Sequence, residues 1–209
     1  MSWLLIVVIV VVVLLLLWAV LLYNGLVQKR NRVDNAWAQV EVQLKRRHDL
    51  VPNLVETVKG YAAHERGTFD AVTQARAAAT AAQGPAQSAA AEGILGQALG
   101  RLFAVAENYP QLRATENFQQ LQAQLSETES NIAIARQVYN DTVLTYDNAL
   151  ETLPTSIIAG WFNFRPREYF QTEDVTREAP RVDFGQGGGT VAPPVPPPAT
   201  PPAAEPPAS

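Results

Sequence analysis

The chain has 209 residues, with 16 Lys and Arg against 20 Asp and Glu, a formal net charge of −4, and no cysteine. The absence of cysteine excludes disulfides, thiolate nucleophiles and cysteine-ligated zinc, and two histidines and one methionine are too few for His-rich metal or haem sites. A net negative charge argues against a dedicated nucleic-acid-binding protein, so we expect no nucleic acid among its partners.

The first predicted element is a membrane-spanning helix. Residues 3–23 read WLLIVVIVVVVLLLLWAVLLY, and no charged side chain occurs before Lys29. A helix of this length covers about 30 Å, the thickness of the hydrocarbon core of a bilayer. Trp3, Trp18 and Tyr23 are placed to lie in the two interfacial aromatic belts. A cleaved signal peptide is the alternative, but its basic n-region and small-residue cleavage site are missing. We therefore predict a retained anchor whose partner is the lipid bilayer.

Basic residues follow the apolar run directly. Lys29, Arg30 and Arg32 come next in the chain, against one acid, Asp34. By the positive-inside rule, the rest of the chain lies on the cytoplasmic side and the short N-terminus lies outside; a periplasmic domain is the alternative. The same basic residues are placed to meet anionic lipid headgroups. We count them, with the three aromatic residues, as membrane-interface residues.

Three long helices are predicted from the periodicity. Apolar residues spaced by three and four extend the first helix out of the membrane, and Pro52 is expected to kink it. The second helix covers about residues 69–107, and Gly84-Pro85 interrupts it, with two helices joined by a short loop as one outcome. The third helix, residues 118–153, carries an apolar seam suited to antiparallel packing. We predict an all-α fold, an elongated antiparallel bundle of three or four helices.

Counting the three helices as up, down and up places the segment after Pro154 at the membrane-distal end. Its sequence, TSIIAGWFNF, is too apolar to be left in water. We interpret it as a cap on that end of the bundle, with a second membrane contact as the alternative. From residue 171 onward the chain is rich in glycine and proline and is predicted to be disordered. The predicted domains are an anchor (residues 3–23), a bundle (24–170) and a tail (171–209).

Arg47 is the polar residue that the helical periodicity singles out. It falls on the apolar stripe of the first helix, where a guanidinium must be paired or must reach solvent. Glu129 and Asn140 lie beside the seam of the third helix and are its candidate partners. With the first and third helices parallel, Glu129 is level with position 41, about 9 Å along the axis from Arg47. We hypothesise that the three residues form a buried polar network that fixes helix register; a rotation that leaves Arg47 in solvent is the alternative.

The sequence contains no complete motif for catalysis or for a cofactor. Di-metal bundles use Glu-x-x-His, but the residues three before the two histidines are a lysine and a tyrosine. His64-Glu65 begins a zinc-protease motif in which Thr68 stands in place of the second histidine. The run GQGGGT at residues 185–190 is not followed by the lysine of a phosphate-binding loop. We therefore predict no catalytic, cofactor-binding or metal-binding residues, and no enzymatic activity.

Several stretches resemble a known family. RRHDLVPNLV, ENYP and ARQVYN, which follow an N-terminal apolar span, are similar to the LemA family of small bacterial membrane proteins. The resemblance covers about residues 4–170. It implies a helical bundle with one N-terminal membrane helix, in the bacterial inner membrane. The family has no established enzymatic role, so the resemblance implies no activity. The Pro-rich tail departs from the family pattern, so the resemblance implies nothing about it.

These features predict a membrane-tethered scaffold or interaction module. The bundle would present helical faces to protein partners that the sequence does not name, with docking surfaces expected at its distal end. Long amphipathic helices also self-associate, so a homo-oligomer of unspecified number is compatible with the sequence. The alternative is a sensor or regulatory subunit of an envelope or stress response, in which the Pro52 kink transmits the state of the membrane. A cryptic hydrolase using His48 and His64 is a third hypothesis.

Overall fold

The computed structural model describes residues 2–171 of the chain. All regular secondary structure in this range is helical, which confirms the predicted all-α fold. The predicted disordered tail, apart from residue 171, lies outside the described residues. The helices are α1 (Ser2–Lys59), α2 (Arg66–Ala81), α3 (Gly84–Glu107), α4 (Pro110–Arg113), α5 (Glu116–Glu151) and α6 (Thr155–Trp161).

α1 joins the predicted anchor to the bundle without a break. It is 58 residues long, and its first part is long and apolar enough to cross a membrane. In that part, the large side chains from Trp3 to Leu17 are 40–76% exposed. From Leu26 onward, one stripe of the helix is buried. The predicted boundary between residues 23 and 24 therefore falls inside a continuous helix, and the limits of the anchor stay a prediction.

α1 is also helical through Pro52. Proline has no N–H, so the carbonyl of His48, four residues earlier, has no donor within the helix. Arg76 of α2 supplies one: its Nε donates to the His48 carbonyl oxygen at 2.7 Å. A side chain from a neighbouring helix thus satisfies the group that proline leaves free.

The second predicted helix is in fact two helices. α2 ends at Ala81, and α3 begins at Gly84, whose φ of 75° lies in the left-handed region that favours glycine. Pro85 follows in the first turn of α3, where a helix needs no donor from that residue. Of the outcomes considered for Gly84-Pro85, two helices joined by a short loop is therefore the one that forms. It adds one reversal of chain direction.

The added reversal makes α5 antiparallel to α1. The rings of Trp37 and Tyr139 lie 5.4 Å apart, and ten residues further along α1 the Arg47 guanidinium contacts Glu129. Residue numbers thus rise along α1 as they fall along α5. The prediction that these two helices run parallel is wrong, because it placed one long helix where α2 and α3 form a hairpin.

The buried side chains divide the bundle into two regions. In the four-helix region, residues 47–59 of α1 pack with α2, α3 and residues 116–129 of α5. In the two-helix region, residues 26–44 of α1 pack on residues 132–151 of α5, and Ala89 is the one buried residue of α3 in that cluster. The α2–α3 hairpin therefore covers only one part of the α1–α5 pair.

A non-helical segment, residues 164–171, covers the two-helix region. Phe170 is 2% exposed and packs beside Trp37, with ring centroids 6.1 Å apart. The Asn140 amide donates to the Phe170 carbonyl at 3.2 Å and accepts from the Phe170 N–H at 3.0 Å. The Tyr139 hydroxyl donates to the carbonyl of Glu168 at 2.6 Å, and burial raises the pKa of Tyr139 to about 12. Residues 164–171 therefore cover the α1–α5 pair in the two-helix region, as α2 and α3 cover it in the four-helix region.

α6 lies at the end of the bundle next to the apolar run. Ile158 and Ala159 form a buried cluster with Leu26 of α1. The prediction that this segment caps the membrane-distal end is wrong, for the same reason as the direction of α5. α6 ends in a Schellman motif: Asn163 has a φ of 54°, and the Phe164 N–H donates to the Ala159 carbonyl at 3.0 Å. This turn leads the chain back along α1 and α5.

Candidate functional site

A cluster of buried polar side chains lies where the two regions meet. Arg47 and His48 come from α1 and Glu92 comes from α3, and the three residues are 6–8% exposed. Arg47 Nη1 donates to Glu92 Oε2 at 2.9 Å, and His48 Nε2 lies 2.5 Å from Glu92 Oε1. One carboxylate on α3 thus binds two successive side chains of α1.

Glu129 of α5 extends this cluster to the surface. Arg47 Nη2 lies 2.8 Å from Glu129 Oε1, and the Glu129 side chain is 49% exposed. Arg47 Nε is buried without a hydrogen-bond partner. The structure therefore brings together Arg47 and Glu129, two of the three residues of the predicted polar network. We call Arg47, His48, Glu92 and Glu129 the polar cluster.

Asn140, the third predicted residue, is not part of the polar cluster. It lies eleven residues from Glu129 on α5, which is about 16 Å along a helix. Its amide pairs with the backbone of Phe170 instead. The contact between Arg47 and Glu129 and the contact between Asn140 and Phe170 each hold two chain segments together, but they lie in different regions of the bundle.

Glu92 was missed in the sequence analysis. It stands in an alanine-rich stretch, QSAAAEGILG, whereas the predicted partners of Arg47 were Glu129 and Asn140. The signal was present, however: Ser88, Glu92, Leu95 and Leu99 follow spacings of four, three and four, and all four are buried. An acid on the buried stripe of α3 is the natural counter-ion for an arginine on the buried stripe of α1.

The polar cluster has the chemistry of an interhelical ion pair. Removing one partner of such a pair is costly, because it leaves the other charge buried without compensation. Among residues 2–171, no group of three or more His, Asp and Glu side chains is placed to hold a metal ion.

An apolar groove runs along the outer face of the two-helix region. Ala38 and Val42 of α1 line one wall, and Ile134 and Val138 of α5 line the other. Val42 and Ile134 are more than half exposed. In the four-helix region, exposed large apolar side chains such as Tyr61 and Ile94 are scattered singly. The expectation that docking surfaces lie at the distal end of the bundle stays a prediction.

The predicted membrane-interface residues all lie on α1, either within the apolar run or in the turns that follow it. Trp3 and Trp18 are at least half exposed. Tyr23 is partly buried because its ring packs against Phe162, with centroids 4.7 Å apart. Lys29 is partly buried, and Arg30 and Arg32 are exposed.

A second exposed apolar surface lies on and beside α6. Leu153, Ile157, Trp161 and Phe162 are 51–78% exposed, and we call them the α6 patch. They lie close to the end of the apolar run, since Ala19, Leu22 and Tyr23 pack against the cluster formed by Leu26, Ile158 and Ala159.

Comparisons with known proteins find a matching family and several relatives of this chain. The model of the LemA family matches residues 36–184. The magnetosome protein MamQ 2 of Paramagnetospirillum magneticum is 29% identical over 73% of this chain and 65% of its own length. MamQ of Magnetospirillum gryphiswaldense is 27% identical over 72% of this chain, again covering 65% of the relative. Protein LemA of Metamycoplasma hominis is 23% identical over 74% of this chain and 71% of its own length.

The chain thus spans a little less than two thirds of the length of the MamQ proteins it matches. The family model, by contrast, covers well over half of this chain. The motifs that resemble the family and the helical bundle that carries them lead to the same assignment: the chain belongs to the LemA family.

Proposed function

We propose that this protein is a non-enzymatic, single-pass membrane protein that presents its helical bundle as a protein-interaction module. The observation that carries the proposal is the continuity of α1, in which one helix of 58 residues contains both the apolar run and a buried stripe of the bundle. Because helical connections are stiffer than coil, a bundle built on such a helix is held close to the bilayer in a restricted set of orientations.

Alkaline extraction of membranes tests the anchoring. The full-length protein is expected to stay in the membrane pellet and to keep its first residues, as N-terminal sequencing or intact-mass measurement would show. A chain cleaved after about residue 23 and recovered from the aqueous fraction would contradict the proposal.

The proposed location is the bacterial inner membrane, with the bundle on the cytoplasmic side. The basic residues after the apolar run support this orientation, and the relatives are bacterial. The chain has no cysteine, so Gln120→Cys on the exposed surface of α5 creates a single labelling site. A membrane-impermeant maleimide should label this site in lysed cells and not in intact spheroplasts. Labelling in intact spheroplasts would place the bundle outside.

Two features support the non-enzymatic part of the proposal. His48, one of two histidines in the chain, is bound to Glu92 inside the bundle. The names of the LemA and MamQ relatives state no reaction. A hydrolase that used both histidines would lose its activity in a His48→Ala, His64→Ala double variant, and such an activity would overturn this part.

Photo-crosslinking in intact cells tests the interaction module. Val42 and Ile134, on opposite walls of the apolar groove, are the first positions for the crosslinking residue, and Gln120 is the exposed polar control. We expect both groove positions to capture the same protein, and Val138→Asp to abolish the adduct while the helical content stays unchanged. A full-length protein that gives no adduct at any surface position in native membranes would contradict the proposal.

We further propose that the polar cluster fixes the register of α1, α3 and α5, so that the surfaces of the bundle keep one arrangement. Glu92 joins α3 to two residues of α1, and Glu129 joins α5 to the same arginine. Sliding α1 by one residue would move Arg47 about 1.5 Å and break contacts on both sides.

One observation favours a regulatory function as a second candidate. The His48 carbonyl that Pro52 leaves free is held by Arg76, so the point at which α1 bends most easily is tied to α2. A change in the membrane that bends α1 would loosen this bond. Hydrogen exchange of α2 in vesicles of different thickness tests the idea, and exchange that stays constant would favour a static module.

A further inference from the structure

We propose that the α6 patch is a second membrane contact, and that α6 lies beside α1 in the boundary between the lipid headgroups and the acyl chains. The proposal rests on the membrane anchoring of α1 proposed above. The proposed partner that covers the α6 patch is the lipid bilayer, and four independent features of α6 support that choice.

The first feature is the position of α6. Ile158 and Ala159 are buried against Leu26, and Ala19 and Tyr23 pack against the same cluster. The apolar run ends at Tyr23, so α6 is level with its last turn. From Ala19 to Tyr23 a helix rises about 6 Å, which is within the depth of roughly 5–10 Å to which interfacial helices bury their apolar face.

The second feature is the exposure of large apolar side chains. Trp161 is 78% exposed, and Ile157, four residues earlier on the same face of α6, is 51% exposed. Leu153 and Phe162 extend this surface at either end of the helix. The buried residues Ile158 and Ala159 hold α6 in place, and the α6 patch is what remains outward. Such a contiguous surface in water is unfavourable unless something covers it.

The third feature is the kind of residue in the patch. Tryptophan is enriched at the level of the lipid headgroups, because its ring is apolar and its N–H can still reach water. The patch combines one tryptophan with one phenylalanine and two aliphatic side chains, which is a composition typical of interfacial helices.

The fourth feature is the charge around α6. Arg165 comes four residues after the end of α6, and Lys29, Arg30 and Arg32 lie one to three turns beyond Tyr23 on α1. The Arg30 guanidinium lies over the ring of Phe164, 5.7 Å from its centroid. Among the acids near this end, Asp34 pairs with Arg167 and Asp147 accepts from the Arg167 N–H, while Glu151 is exposed. Basic side chains close to the apolar surface attract anionic headgroups.

Site-directed spin labelling of the full-length protein tests the proposal, because the natural chain has no cysteine. The protein is reconstituted in vesicles of phosphatidylcholine and phosphatidylglycerol, with one label at a time from Trp161→Cys, Ile157→Cys, Val12→Cys or Ile94→Cys. Val12 lies in the apolar run, and Ile94 is a matched control on α3 with 57% exposure. For each label, the collision rates with oxygen, which enters lipid, and with a water-soluble nickel chelate are measured.

We expect the ratio of oxygen to nickel collisions to be several-fold higher at positions 157 and 161 than at 94, and highest at 12. A ratio at 157 and 161 equal to that at 94, with position 12 in lipid, would overturn the membrane contact and leave the anchoring intact. A water-like ratio at position 12 would overturn both.

A second copy of the chain is the remaining occupant of the α6 patch. Spin–spin broadening at position 161 that disappears on dilution with unlabelled protein would show that another copy covers it, and would overturn the proposal. Spectra that stay unchanged on dilution, with the collision ratios expected above, would support lipid contact.

Discussion

The two regions of the bundle use the same pair of helices but are closed in different ways. In the four-helix region, α2 and α3 cover α1 and α5, and most of the buried residues are aliphatic or alanine. In the two-helix region, two helices and a non-helical segment form the core, which includes Tyr139, Tyr146 and Phe170. Fewer elements surround this core, and large aromatic side chains fill the space instead.

The helix lengths explain why elements other than α2 and α3 are needed to cover the α1–α5 pair. α5 has 36 residues and is about 54 Å long, whereas α3 has 24 residues and is about 36 Å long. The α2–α3 hairpin therefore leaves about 18 Å of the α1–α5 pair uncovered. Residues 164–171 cover part of this length, and α6 covers the end nearest the apolar run. The polar cluster lies between the two buried cores, and the first turns of α3 extend about 12 Å beyond Glu92 into the two-helix region.

The largest expected effect concerns the polar cluster. Glu92→Leu removes the acceptor for both Arg47 and His48 and leaves a charge in the interior, which is expected to cost about 3–5 kcal/mol of stability. Thermal unfolding of the full-length protein in one detergent, followed by circular dichroism, measures the loss. The matched control is the Arg47→Leu, Glu92→Leu double variant, which is expected to recover most of the stability because the charged pair is gone.

The single variant Arg47→Leu tests the register role of the polar cluster. In Arg47→Leu, we expect a broader distribution of distances between spin labels at positions 42 and 134, which line the same groove. A higher melting temperature with an unchanged, narrow distance would contradict the role in register and leave the cluster with no function beyond filling space.

A pair of core truncations compares the two regions directly. Leu102→Ala, in the four-helix region, is expected to cost about 2–5 kcal/mol and to speed hydrogen exchange in all helices of the bundle. Phe170→Ala should cost less than the roughly 3–5 kcal/mol of a phenylalanine truncation in a closed core, because residues 164–171 can detach. Its faster exchange should be confined to residues 33–44 of α1 and 132–146 of α5. Equal and global effects of both variants would show that the bundle unfolds as a single unit.

The bond between Arg76 and the His48 carbonyl is expected to have a smaller effect. Arg76→Met leaves that carbonyl without a donor, at a cost of about 1–3 kcal/mol. In a Pro52→Ala background, the N–H of residue 52 becomes available to the carbonyl, so the same substitution should cost less. A double-mutant cycle on the free energy of unfolding measures the coupling. Strictly additive losses would show that Arg76 stabilises the bundle in some other way.

The sequence predicted elements that have a strong local signal. The apolar run, the stripe of α1 and the seam of α5 each repeat over many turns, so periodicity alone identifies them as helices. Arg47 was identified in the same way, as a charge on an apolar stripe.

The direction of the helices was not predictable from the same signal. A Gly-Pro pair can bend a helix or reverse the chain, and both outcomes leave the flanking periodicity unchanged. Taking one outcome made α5 parallel to α1 and moved α6 to the wrong end. The docking of residues 164–171 was missed for a different reason: it depends on Asn140 and Tyr139, which are thirty residues away in the sequence, and the segment itself has no repeating pattern.

The smallest expected effect concerns how that segment is held. Tyr139→Phe removes the hydrogen bond to the Glu168 carbonyl and should cost about 1 kcal/mol near neutral pH.

Burial raises the pKa of Tyr139 from 10.0 to about 12, so the unfolded chain loses this proton at a lower pH than the folded protein. The contribution of the hydroxyl is therefore complete below about pH 10 and is lost as the pH rises through about 12. The difference in unfolding free energy between the natural protein and Tyr139→Phe should shrink over that interval. Burial also raises the pKa of Tyr146 and Tyr169, but both are present in the two proteins and cancel in the difference. A difference that stays constant up to about pH 12 would show that Phe170 and Asn140, rather than the Tyr139 hydroxyl, hold the segment on the two-helix region.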